Sequence, residues 1–261
     1  MIKIGKRPLN EVINRVLRKE LLEIIKNFFI VHKNPLKAMY EEFITKGKYP
    51  KIIETKQGVK IKLFSYGDFS TFNLVFCRQD YLADKKINVV LDIGSNIGIT
   101  ANYWLFKNSK AKVYCYEPSN VNFKRLIKNT KKFKKNISVK KCAVSDFNGY
   151  SKLYRSETGV NDSIVDKVSK KFDKVKVVEI NSILEKIFSN YEILDILKID
   201  TEGCEREILK SINKKYFKKI RIINIEGINF NKLIPKYFSY TFNSSASRFE
   251  NKRFMTCGKA K

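Results

Sequence analysis

From Asn88 onward the chain alternates short apolar runs with helical segments, and this alternation limits the fold more than any other feature. Runs that read as strands fall at Val89–Ile93, Lys112–Tyr116, Ile137–Cys142, Ile196–Asp200 and Arg221–Glu226. Strands separated by helices build a parallel sheet covered by those helices. A longer insert from Asn148 to Ile187 follows the third run, alternates at Val175, Val177 and Ile180, and predicts an added hairpin and helix. Two aromatic stretches around "NSSAS" in the tail, Lys236 to Met255, predict a closing antiparallel hairpin.

The first 80 or so residues follow another pattern. Residues 10–30 read as an amphipathic helix capped by Asn10, with Ile13, Leu17, Leu21, Ile25 and Phe29 recurring every four positions. A second helix is expected over Leu36 to Ile44, and "KIIETKQGVKIKLF" reads as a hairpin turning at Gln57-Gly58. The expected division is a helical and hairpin cap over 1–80 and a main domain over 81–261.

No apolar run approaches the roughly 18 residues that span a bilayer. The charged start, "MIKIGKRPLNEVINRVLRKE", does not read as a signal peptide, so a soluble cytoplasmic protein is expected. Five scattered cysteines with no C-x-x-C pair indicate neither a disulfide scaffold nor a zinc site. His32, the sole histidine, excludes catalytic triads and multi-histidine metal centres, and its place after a helix reads as a surface or capping residue. Fifty-three Lys and Arg against 26 Asp and Glu give a net charge of +27. Such a field attracts polyanions, which keeps nucleic acid and an anionic membrane surface open as partners.

The most informative stretch is "LDIGSNIG", Leu91 to Gly98, where a strand runs into a glycine-bracketed turn. A nicotinamide site would show G-x-G-x-x-G, whose middle glycine lets backbone approach the pyrophosphate. Here Gly94 and Gly98 enclose Ser95, Asn96 and Ile97, and Asn96 would crowd that pyrophosphate. No Gly-Lys-Ser/Thr follows, so the turn is not a P-loop. Asp92 would repel phosphate but attract an amino-acid ammonium group, as S-adenosylmethionine carries. The second strand ends in "VYCYEPSN", placing Glu117 and Pro118 at the carboxyl edge, 23 residues beyond Gly94, where an acid can accept both ribose hydroxyls. The third ends in "KKCAVSDFNG", so Ala143, Val144, Ser145 and Asp146 can flank an adenine. Three successive strand ends thus fit three parts of one ligand, S-adenosylmethionine.

These segments, together with "DILKIDTEGCEREILKS" from Asp195 to Ser211, resemble the FkbM-type S-adenosylmethionine-dependent methyltransferases over roughly Ile52 to Gly227. The resemblance implies a doubly wound, mostly parallel seven-stranded sheet of Rossmann-like class I form, preceded by the helical and hairpin extension. It implies O-methylation of a sugar, glycan or other small-molecule hydroxyl, leaving S-adenosylhomocysteine. By position, Asp92, Gly94, Ser95, Asn96 and Gly98 would form the donor turn, Glu117 and Pro118 would meet the ribose, and Ala143, Val144 and Asp146 would lie near the adenine. Asp200, Glu202 and Glu205 match the family's acidic motif, and Glu226 its following acid.

A hydroxyl acceptor must lose its proton to a base or to a metal. With histidine excluded, carboxylates are the candidates: Asp200 first, as base or metal ligand, then Glu202, with Glu226 lining the acceptor pocket or orienting a neighbour. Glu205 also suits the first turn of a helix, where acids complement the dipole. A divalent metal has no histidine support here and is not predicted. The densest basic stretch, Lys124 to Lys141, carries nine Lys or Arg on the helix after the second strand, and a second cluster spans Lys210 to Arg221. Both read as solvated faces. If they instead hold RNA, the absence of paired cysteines and of an aromatic-glycine RNA signature points to a ribose hydroxyl as the acceptor.

Overall fold

The computed structural model describes residues 3–4, 7–8, 21–154, 171–243 and 246–255. It divides into two compact units, Met1–Leu82 and Ala83–Lys261. No described helix is long and apolar enough to cross a membrane.

In the first unit, α1 (Leu21–Val31) and α2 (Pro35–Tyr40) precede an antiparallel pair, β1 (Lys51–Glu54) and β2 (Lys60–Leu63), and α3 (Tyr66–Asn73). Residues 10–20 of the expected first helix lie outside the described residues. In the described part the expected stripe is not the buried one. Phe29 is exposed and Ile25 half-buried, while Phe28 and Val31 are buried. His32 is buried too, contrary to the surface or capping role expected of it: it stacks on Phe28, and its Nε2 lies 2.9 Å from Asn73 Oδ1. Asn27 on the same face donates to the Cys77 carbonyl at 2.7 Å. Buried polar groups persist when hydrogen-bonded, so a polar residue can lie on the inner face of a helix. The start of α3 is fixed by a capping box between Ser65 and Asp68.

The second unit is a three-layered α/β fold. Its parallel strands are β3 (Val89–Ile93), β4 (Lys112–Tyr116), β5 (Ile137–Lys140), β9 (Leu194–Ile199) and β10 (Ile220–Glu226). The antiparallel hairpin β11 (Phe238–Asn243) and β12 (Ala246–Asn251) closes the sheet in the order β11-β12-β10-β9-β3-β4-β5. The tail therefore forms the expected hairpin, whose second strand pairs with β10. β3 and β9 are buried at every position, as strands covered on both faces must be.

Helices α4 (Ile99–Lys107), α5 (Asn120–Asn129), α6 (Ile180–Phe188), α7 (Glu205–Ser211) and the short α8 (Lys214–Phe217) connect the strands. The insert adds a small sheet beside the main one, with β6 (Ala143–Ser145) parallel to β8 (Phe172–Glu179) and β7 (Gly149–Tyr154) antiparallel to it. The chain winds outward from β3 through β4 to β5, then returns to β9 on the other side of β3. That reversal puts a crevice at the carboxyl ends of β3 and β9, where ligands of open α/β sheets bind.

Candidate active site

Three strand ends meet at this crevice. After β3, Gly94 (φ 76°), Asn96 (φ 47°) and Gly98 (φ 88°) all take left-handed backbone, which folds the chain sharply into α4. A Cβ on Gly94 would lie 1.6 Å from the Asp200 carbonyl oxygen, so only glycine lets the turn press against the end of β9. A Cβ on Gly98 would meet Leu126 of α5 at 2.6 Å. The turn is fastened below by Gly94 and Ser95 amides that donate to the Tyr116 carbonyl at 3.0 and 3.1 Å. Buried Ser95 also donates its hydroxyl to the Asp92 carbonyl at 2.8 Å.

Asp92 does not face the crevice, contrary to the direct donor contact expected of it. It is fully buried under the turn, where its Oδ2 accepts from Thr100 Oγ1 at 2.6 Å and Trp104 Nε1 at 3.0 Å. Its role is to hold the turn from beneath. Glu117 ends β4 as expected. Its Oε2 accepts from the Asn96 amide at 2.8 Å and its Oε1 from the Ser119 amide at 2.9 Å, which fixes the carboxylate beside the turn. Pro118 lies half-buried between them. Ala143 and Val144 are buried in β6, while Asp146 is exposed just beyond it and accepts from Ser145 Oγ at 3.1 Å. Ser145 in turn hydrogen-bonds the buried Cys204 thiol, whose pKa burial pushes up to about 12. The end of β6 thus lies against the acidic loop that follows β9.

That loop brings together Asp200, Glu202 and Glu226. A carboxylate oxygen from each lies within 4.8 Å of the others, a donor set that suits a hard cation or a shared proton. Glu202 gets there through left-handed backbone (φ 56°). Glu205 serves the loop itself. Its carboxylate accepts from the Thr201 amide at 2.7 Å, the Thr201 hydroxyl at 2.9 Å and the Gly203 amide at 3.0 Å. It braces the loop from the first turn of α7.

Sequence reasoning missed Lys198. Its side chain is 1% exposed, and its Nζ reaches the Gly94 carbonyl at 2.7 Å, Asp200 Oδ2 at 3.0 Å and Asp92 Oδ1 at 3.4 Å. Burial alone would lower its pKa, but Asp200 and Asp92 favour the ammonium by more and hold it above the ordinary lysine value. The signal was available: Lys198 lies two residues before Asp200, and alternation puts both on one face of β9. The same level continues into β10, where the fully buried Asn224 pairs with Lys198 across the ladder.

The acids also shift one another. Glu226 hydrogen-bonds Asp200, and that bond, the charge of Asp200, burial and the charge of Glu202 together push its pKa up to about 10. Lys198 acts in the opposite direction. Glu226 is therefore the carboxyl pushed toward its protonated form, and Asp200 lies between it and the Lys198 ammonium.

Known methyltransferases are similar to this chain. A methyltransferase of Sordaria araneosa, sdnD, is 22% identical over 214 residues, covering 67% of this chain and 83% of that protein. The crystal structure of an FkbM methyltransferase from Methylobacillus flagellatus aligns with a TM-score of 0.48 at 13% identity, over 89% of this chain. The chain spans 59% of that protein's length. A methyltransferase structure from Geobacter sulfurreducens aligns with a TM-score of 0.39 at 10% identity, over 69% of this chain and 78% of its own. The model of the methyltransferase FkbM domain matches residues 92–241, from the aspartate under the turn to the penultimate strand. The chain belongs to the FkbM methyltransferase domain family.

Proposed function

We propose that this methyltransferase moves the methyl group of S-adenosylmethionine onto a hydroxyl of a sugar, glycan or other small molecule. The observation that carries the reading is the contact between Gly94 and the Asp200 backbone carbonyl, which brings the turn after β3 against the strand end that carries the Asp200 carboxylate. The crevice suits this donor. Its turn has no phosphate-binding lysine, its two glycines admit close backbone approach, and Glu117 stands where ribose hydroxyls would bind. When bound, the donor supplies an electrophilic methyl carbon on a sulfonium.

Two things are then required of the protein. It must align an acceptor oxygen with the methyl group, and positioning of this kind supplies several kcal/mol of the barrier reduction. It must also take the hydroxyl proton. Asp200 is the group for that: Lys198 at 3.0 Å and its hydrogen bond with Glu226 orient it at the rim. As the acceptor proton arrives on Asp200, the nearby Glu202 carboxylate can share it.

The test is transfer of labelled methyl to separated glycan, small-molecule, RNA and protein fractions, with native enzyme and Asp200→Asn. Label in the glycan or small-molecule fraction, reduced by about a hundredfold or more in the variant while donor binding persists, supports the reading. Label in RNA would overturn the acceptor assignment in favour of a ribose hydroxyl. Transfer abolished by a chelator and restored by magnesium would replace proton sharing with a metal held by Asp200, Glu202 and Glu226.

A further inference from the structure

Every strand of a parallel sheet enters at one edge and leaves at the other, so the segments that precede strands gather opposite the catalytic rim. In this molecule that entry edge is lined with lysine. Lys85 and Lys86 lead into β3, Lys110 and Lys112 into β4, and all four are exposed. Between α5 and β5 the turn carries Lys131, Lys132, Lys134 and Lys135, again exposed. Lys112 Nζ donates to the Lys135 carbonyl at 3.2 Å, which draws two of these clusters together. Lys214, Lys215, Lys218 and Lys219 precede β10 and are exposed as well.

Acids are scarce there. Within the entry segments 83–88, 108–112, 130–136, 189–193 and 213–219 they are Asp84 and Glu192, against twelve lysines. Asp84 lies 3.1 Å from Arg221, which also holds Asp195 at 3.1 Å. The rim differs: Asp146, Asp200, Glu202 and Glu226 gather there, beside Lys140, Lys141 and Arg206. Charge is thus polarised along the strand direction.

We infer that the entry edge docks this enzyme on an anionic lipid bilayer, with the catalytic rim turned away from the lipid. Five neighbouring strands place their entry segments across a span of about 20 Å, a breadth that suits a plane. Clustered lysines with few acids among them are drawn to anionic headgroups. A nucleic acid is the poorer fit. Phosphates bound at this edge would sit a full strand length, roughly 17–23 Å, from Asp200, and would place no ribose there.

The experiment is vesicle co-sedimentation of the full chain. Vesicles of phosphatidylcholine alone are compared with vesicles containing about one-third phosphatidylglycerol, from about 0.05 to about 0.3 M salt. The native chain is run beside the variant Lys110→Glu, Lys134→Glu, Lys135→Glu, Lys215→Glu, whose sites are exposed in the entry segments. The expected result is sedimentation with anionic vesicles only, weakening with salt, and reduced at least about tenfold in the variant while donor binding is unchanged. Equal binding to both vesicle types, no binding to either, or a variant that binds like the native chain would each overturn the inference. Displacement from the vesicles by a short RNA that also binds more tightly would reassign the edge to nucleic acid.

Discussion

Glu226 keeps a proton that a lone carboxylate would lose, and the linkage to stability follows from its sign. The unfolded chain releases this proton near the ordinary value of 4.5, whereas the folded chain holds it up to about 10. Between those values the folded state binds more protons, so this group's contribution to stability falls as pH rises through the window. Glu226→Gln keeps a hydrogen-bond donor for Asp200 and removes the titration. The variant should melt higher than the native protein at pH 8, with the difference vanishing near pH 4 in paired thermal scans; a native protein that melts higher at pH 8 would contradict the shared proton. Lys198 allows a second forecast. Lys198→Met leaves the buried Asp92 facing no cation, which should cost about 3–5 kcal/mol in urea unfolding. A loss under about 1 kcal/mol would mean that Thr100 and Trp104 hold Asp92 unaided. At this scale Gly94, Glu117 and Asp200 were legible because each ends a strand beside a recognisable turn. Lys198 was not, because a lysine inside an apolar strand looks like a solvent-facing one until the ladder sets Asp92 of β3 on one side of it and the buried Asn224 of β10 on the other.

Among the elements, the first unit behaves as one buried polar network under aromatic cover. Burial lowers the His32 pKa from 6.5 to about 4, an effect larger than its bond to Asn73. The unfolded chain therefore binds more protons between those values, and stability is lost as pH falls from about 6.5 toward 4. His32→Gln should abolish a loss of about 2 kcal/mol or more measured between pH 7 and pH 4.5. Identical pH dependence in native and variant would show that other groups cause it. The helix carrying His32 was legible from its repeat, yet the buried face was not, since Ile24/Phe28 and Ile25/Phe29 are equally apolar lines. Only the packing partners chose between them. In the small sheet the antiparallel pair β7–β8 was legible as the insert's hairpin, but β6 was not: it joins Ala143 to Val177 in parallel across the intervening insert, and local alternation carries no such pairing.

For the whole molecule, the net charge of +27 was legible at once and its distribution was not. Counting lysines needs no fold, whereas assigning them to one edge needs the strand directions. Such an excess of one sign destabilises the compact state by self-repulsion. The melting temperature should therefore rise when sodium chloride goes from about 0.05 to about 0.5 M, since the screening length falls below the spacing of neighbouring clusters. A melting temperature that stays flat or falls would mean that favourable surface ion pairs outweigh the repulsion.

The missing Cβ of Gly94 has an engineering consequence. Because the Asp200 carbonyl occupies that space, the turn after β3 and the strand end carrying Asp200 form one joint, and neither can be redesigned without moving the other. Efforts to broaden the range of acceptors would do better to vary the stretch after Glu226, from Ile228 to Asn231, which lies beyond that joint. Libraries centred on Thr201 or Gly203 would mostly disturb the loop that Glu205 braces beside that joint.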